Sequence, residues 1–151
     1  MVEEVSEIRY PPRNIPLGEL LRVLVEEHGS MKEGLRRAKE ATDSNDFESV
    51  SRTMKQLDPL FRQHIADEEA QILRLLIGEL GMKGAEEEIK IFQQHRPIYG
   101  MMQTVAKLAY KNPSDLEAEQ VTLNTLFENH TYAEEHLVFP KALAFNRQKD
   151  T

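Results

Sequence analysis

The pentapeptide His64-Ile65-Ala66-Asp67-Glu68 sets an imidazole and a carboxylate four residues apart, and His130-Thr131-Tyr132-Ala133-Glu134 repeats the spacing. On a helix, residues four apart leave the same face one turn from each other. Imidazole nitrogen and carboxylate oxygen are donors that zinc, manganese, iron and cobalt accept. Two further histidines, His28 and His95, stand singly in their own apolar segments. Four histidines and two glutamates on four segments point to one metal site built between four helices. The chain has no cysteine. Thiolate ligands, iron–sulfur clusters, disulfides and cysteine nucleophiles are therefore excluded together.

The segments that must position these residues are legible from apolar spacing. Leu17, Leu21, Leu24, His28, Met31, Leu35 and Ala38 follow at alternating steps of four and three, and the one polar member of that seam is His28. This predicts a first helix over 16–42, opened by Pro16 after an irregular arm at 1–15 that holds Pro11-Pro12. Asn45 and Glu48 have the spacing of a capping box, so a second helix is expected from about Asp46. Its seam reads Phe47, Val50, Met54, Leu57, Phe61, His64, Glu68, Gln71 and Leu75, with a kink expected near Lys55–Leu57 from Pro59 and an end at Gly81. A third helix opens on the acidic turn Glu86-Glu87-Glu88 and carries Phe92, His95, Tyr99 and Met102 on one face. Pro97 and Gly100 weaken it just after His95. Asn112-Pro113 breaks the chain, and Ser114 with Glu117 is the expected cap of a fourth helix carrying Leu116, Leu123, Phe127, His130, Glu134 and Leu137. Pro140 should kink or end it, leaving a short last turn and a frayed tail at 148–151.

Four helices joined by short turns predict an all-α, up-down-up-down antiparallel four-helix bundle over 16–147. In that topology His28, His64, Glu68, His95, His130 and Glu134 lie within roughly 10 Å of one another along the bundle axis, at 1.5 Å per residue. One histidine on an apolar seam is most often a hydrogen-bonded core residue. Two glutamates and four histidines at one buried level are a different matter. Without a cation each carboxylate must be protonated or paired at a cost of several kcal/mol, and no Lys or Arg occupies a seam position there. Six donors exceed the four of a tetrahedral zinc, so two ions bridged by the glutamates are expected.

Composition narrows the partners. Lys plus Arg is 19 against 26 for Asp plus Glu, a net charge of −7. That argues against nucleic acid and anionic membrane surfaces. No stretch approaches the roughly 18 apolar residues of a membrane span, and the first ten residues hold no signal-like apolar run. A cytoplasmic protein is expected.

The order His, His-x-x-x-Glu, His, His-x-x-x-Glu resembles the hemerythrin-like, or HHE cation-binding, domain family. Glu27-His28, Glu68-Glu69 and Glu134-Glu135 followed by Leu137-Val138-Phe139-Pro140 carry the same resemblance, which spans 17–145. It implies a four-helix bundle with a non-haem di-iron centre, ligated here by His28, His64, Glu68, His95, His130 and Glu134, with manganese or zinc also fitting by donor type. It implies dioxygen, peroxide or nitric oxide as the ligand, for sensing or storage, with any signal passed to a separate protein partner. The alternatives are a di-iron oxidase or peroxidase, and an iron-buffering or structural metal domain. No catalytic side chain is singled out. Oxygen-carrying members have His-x-x-x-His on the third helix, where this chain has Tyr99. Four residues after His95, Tyr99 is expected on the metal-facing side, as a core aromatic, as a hydrogen-bond donor just behind the ligands, or as a phenolate ligand. His136 falls on another face and is expected to be partly exposed, and Asp67, Glu69 and Glu135, each one step off the seam, are expected to be solvated or to lie just behind the ligands.

Overall fold

The computed structural model describes residues 10–150, with side chains through Arg147; residues 1–9 of the expected arm and Thr151 lie outside the described residues. The described residues form helices and no strand. They group into four long helical segments. The first is α1, Leu17–Asp43. The second joins α2, Phe47–Asp67, through a π-helical turn, Glu68–Leu73, to α3, Arg74–Gly84. The third is α4, Glu86–Gln93, followed by α5, His95–Lys111. The fourth joins α6, Pro113–Ala133, through a π-helical turn, Glu134–Val138, to α7, Phe139–Asp150.

Local chemistry sets the ends. Pro16 (φ −58°, ψ 146°) stands just before α1 rather than inside it. Asn45 adopts the left-handed region at φ 58° and so belongs to the turn. The cap of α2 is therefore Asp46, whose side chain accepts from the Ser49 amide, and not Asn45. Gly81, at φ 76°, breaks the second segment where the sequence places its end. In the fourth segment Pro113 takes the first helical position, where a missing N–H costs nothing. This moves the start ahead of Ser114, whose hydroxyl instead donates to the Asn112 side chain. Pro59 is accommodated within an uninterrupted α2.

Each segment packs against the next, and the fourth returns to the first, closing a ring around the core. That core is two apolar clusters with a polar layer between them. One gathers Met31, Leu35, Val50, Met54, Phe61, Ile98, Met102, Leu123 and Phe127. The other gathers Leu20, Leu24, Ile72, Leu76, Phe92, Val138 and Phe139. On α1 the layer is one residue, His28, between Leu24 of one cluster and Met31 of the other. No helix among the described residues is long and apolar enough to cross a membrane.

Candidate metal centre

Every segment is irregular at the polar layer or next to it except α1. The seam of the second segment runs Phe61, His64, Glu68 and then slips: Ile72 and Leu76 are buried, while the expected Gln71 and Leu75 are only partly so. The fourth segment slips identically, burying Val138 after Glu134 in place of Leu137. Each slip of one residue begins in a π-helical turn opening on a candidate ligand, Glu68 or Glu134. A π turn places one extra residue in the helix, which re-aims everything that follows. It also accounts for Pro140, which neither ends the segment nor frays it: the α-helical ladder is already interrupted just upstream, so α7 runs on to Asp150. In the third segment the irregularity falls before His95 rather than after it. Pro97 has no N–H to give the carbonyl of Gln93, four residues back, and the helix breaks at Gln94, whose amide bonds the Ile91 carbonyl instead.

The six expected donors converge. His28, His64, Glu68 and Glu134 each offer one atom to a group lying within 4.8 Å, and Glu68, His95, His130 and Glu134 do the same. The two glutamates are common to both groups. Glu68 directs Oε2 to His64 Nε2 (3.1 Å) and Oε1 to His95 Nε2 (2.8 Å). Glu134 directs Oε1 to His28 Nε2 (3.0 Å) and Oε2 to His130 Nε2 (3.1 Å). The histidine rings pair accordingly, with centroids 4.8 Å apart for His28 and His64 and 4.9 Å for His95 and His130. All six side chains are buried.

A polar network would be expected to satisfy its members. This one leaves His28 Nε2, His95 Nε2, Glu68 Oε1 and both Glu134 oxygens buried without a hydrogen bond, although the Glu68 and His95 atoms are 2.8 Å apart. These atoms belong instead to the two groups whose donors lie within 4.8 Å of one another. That is the arrangement of metal ligands, and these groups can hold a metal ion.

Behind the donors lies a second ring, in which Glu69 and Glu135 lie behind the ligands rather than in solvent alone, and Glu27 and Gln94, not singled out by spacing, complete it. His28 Nδ1 meets Glu135 (2.7 Å), His64 Nδ1 meets Glu27 (2.9 Å), His95 Nδ1 meets Glu69 (3.0 Å) and His130 Nδ1 meets the amide oxygen of Gln94 (2.8 Å). Each segment thus orients the histidine of its neighbour, in order round the bundle. With Nδ1–H donated outward, a neutral ring keeps its Nε2 lone pair for the centre. A signal was present in the sequence: every acceptor is the immediate neighbour of a ligand, in Glu27-His28, Glu68-Glu69, Gln94-His95 and Glu134-Glu135. Arg13, in the arm, also went unremarked. Its backbone N–H and Nε bond Asp67, and its Nη2 reaches Glu27. Asp67 is accordingly fully buried, a structural anchor for the arm.

The charges agree with the geometry. Burial opposes a proton on His64, but Glu68, Glu27 and Glu134 outweigh it and push the metal-free ring up to about 10. Burial likewise works against His95, and the nearby carboxylates of Glu134, Glu68 and Glu69 carry it well above the ordinary range. Burial would raise the Glu134 carboxyl, yet His130, His28 and His95 hold it well below the usual value. The layer calls for positive charge, supplied by protons on the rings or by a cation in their place.

Tyr99 is buried four residues beyond His95 and stacks on Phe61 with centroids 6.0 Å apart. Its hydroxyl donates to Asp58 (2.6 Å) and accepts from Arg62 Nε (2.8 Å). It therefore belongs to the apolar cluster beside the layer, and Asp58 and Arg62 occupy its polar end. His136 is exposed, stacked on Tyr132, with Nδ1 donating to the Tyr132 carbonyl. In comparisons with protein families, curated proteins and solved structures, nothing matches this chain.

Proposed function

We propose that this chain is a hemerythrin-like, non-haem di-iron protein that binds dioxygen, or a related small ligand such as peroxide or nitric oxide, for sensing or storage. The observation that carries this reading is the sharing of Glu68 and Glu134 by two histidine pairs, which fits two ions bridged by two carboxylates. Short connections at 44–46, 85 and 112, with each segment packed on the next, support the up-down-up-down arrangement that this reading includes. Two imidazoles with carboxylate oxygen is a donor set of non-haem iron(II) with coordination positions left open. Iron there would supply the electrons for binding or reducing a small oxidant. The chain's own part is to orient: Glu27, Glu69, Gln94 and Glu135 fix the four rings, and the flanking apolar clusters keep bulk water from the layer.

A cavity of about 770 Å³ opens beside Glu69, floored by Ile65, Ala70, Leu73 and Phe92. It favours a second reading, an oxidase or peroxidase acting on a small apolar substrate held there. Anaerobic purification from iron-replete cells, metal analysis and a visible spectrum on admitting air test both. About two irons per chain, with a visible band that bleaches reversibly on removing oxygen, is the expected result. Sustained consumption of peroxide would favour the enzyme. A colourless protein holding zinc, or one iron or fewer, would overturn both.

A further inference from the structure

Each half of the centre is built from two histidines and the two shared glutamates, but the halves are not equivalent behind those ligands. The ring nitrogens of His28 and His64 both face carboxylates, Glu135 and Glu27. Glu27 is in turn held from behind by Arg13, whose Nη2 donates to it at 2.9 Å. In the other half His95 faces a carboxylate, Glu69, while His130 faces the neutral amide of Gln94. A carboxylate behind an imidazole makes the ring a stronger donor to a cation, and an amide does so much less. Solvent access differs in the same sense. Glu135 and Glu27 are 27% and 13% exposed, whereas Glu69 is 44% exposed and lines the 770 Å³ cavity with Gln93 and Arg96. Glu135 and Glu69 each lie in a π-helical turn, one in either half, but Gln94 sits at the break ahead of His95 while Glu27 lies within the uninterrupted α1.

The geometry points to Gln94 as the residue that makes the ion between His95 and His130 the exchangeable one of the pair. The ion between His28 and His64 is the retained one. This inference rests on the two-ion reading above, and it assigns Gln94 a positioning role through His130, with no contact to the ion itself.

The test uses the full chain loaded with zinc, and reads release into excess chromogenic chelator. Two phases of equal amplitude are expected, the fast one belonging to the His95 and His130 position. Gln94→Glu should slow the fast phase about 10-fold or more, the scale of such outer partners, and leave the slow phase unchanged. Glu27→Gln should instead speed the slow phase. A crystal of protein stopped after the fast phase should show zinc anomalous signal at the His28 and His64 position alone. Binding of one zinc or none would overturn the two-ion reading itself. Two zincs leaving in a single phase that Gln94→Glu does not alter would overturn this inference alone, as would anomalous signal remaining between His95 and His130. Should Gln94→Glu fail to fold, Gln94→Ala serves: it removes the acceptor and should quicken the fast phase only.

Discussion

The apolar clusters on either side of the polar layer are built differently. The one around Phe61 and Met102 is held by stretches of α1, α2, α5 and α6 whose seams keep strict helical register. The one around Ile72 and Phe139 is held by the two π turns and the helices that follow them, by the short α4 ahead of the break at Gln94, and by Leu17, Leu20, Leu21 and Leu24 at the start of α1. The regular side closes its core with apolar contacts and with the hydrogen bonds of Tyr99 to Asp58 and Arg62. The irregular side has its register set by turns that begin on Glu68 and Glu134, so its packing is tied to what those glutamates hold. Irregular backbone is concentrated where a helix must present a ligand and then resume packing one residue out of step.

The largest effect should come from breaking the shared donors. Glu68→Ala or Glu134→Ala removes one ligand from both groups, and bound metal should fall from about two ions toward none. Hydrogen exchange should then show protection lost in 69–93 and 135–147 while 50–61 and 102–127 keep theirs. Uniform loss in both halves would erase the distinction. The converse substitution, Phe61→Ala on the regular side, should cost about 3–5 kcal/mol in denaturant melts. Because Phe61 supplies no donor atom to the layer, the surviving folded fraction should retain its metal.

Acidity offers a subtler separation. In the metal-free chain the His64 ring is raised from 6.5 to about 10, and His95 is raised in the same sense. The protonated His64 ring stabilises the fold fully below pH 6.5, and that contribution is lost as pH rises through about 10, with His95 acting in the same sense. Glu134, depressed from 4.5, adds stability above that value and loses it only as pH falls through its lowered one. The metal-free protein should therefore melt at progressively lower temperature from pH 6.5 toward about 10. The zinc-loaded protein, whose ion displaces those protons, should hold or gain over the same window. Parallel slopes in scanning calorimetry would show that the layer does not take up protons in the metal's place.

The smallest effects lie off the layer. Tyr99→Phe removes a hydroxyl bonded to Asp58 and Arg62 and should cost about 1 kcal/mol, with metal content and ferric spectrum unchanged. A shifted spectrum would place the phenol nearer the ions than its hydrogen bonds do. His136→Ala, on the exposed stack with Tyr132, should alter stability by no more than about 0.5 kcal/mol and leave metal occupancy alone.

Much of this was settled by residue order. Four apolar seams, broken by Gly81 and by Asn112-Pro113, specify four helical segments, because a helix buries only residues spaced at three and four. The same spacing nominates His28, His64, Glu68, His95, His130 and Glu134, since a polar residue in register with a seam must face the core. What the linear pattern could not reveal is any feature with one residue too many. The slips after Glu68 and Glu134 look like ordinary helix in sequence, where Gln71 and Leu137 fit the period as well as Ile72 and Val138 do. Only packing between segments chooses, because the π turn is a locally unfavourable backbone that persists when ligand placement and core contact both reward it. The pairing of the four ring nitrogens with their partners was left open for a related reason. Glu27, Glu69, Gln94 and Glu135 sit one step off their seams and resemble solvated residues, until a neighbouring segment brings a histidine within 3.0 Å of each.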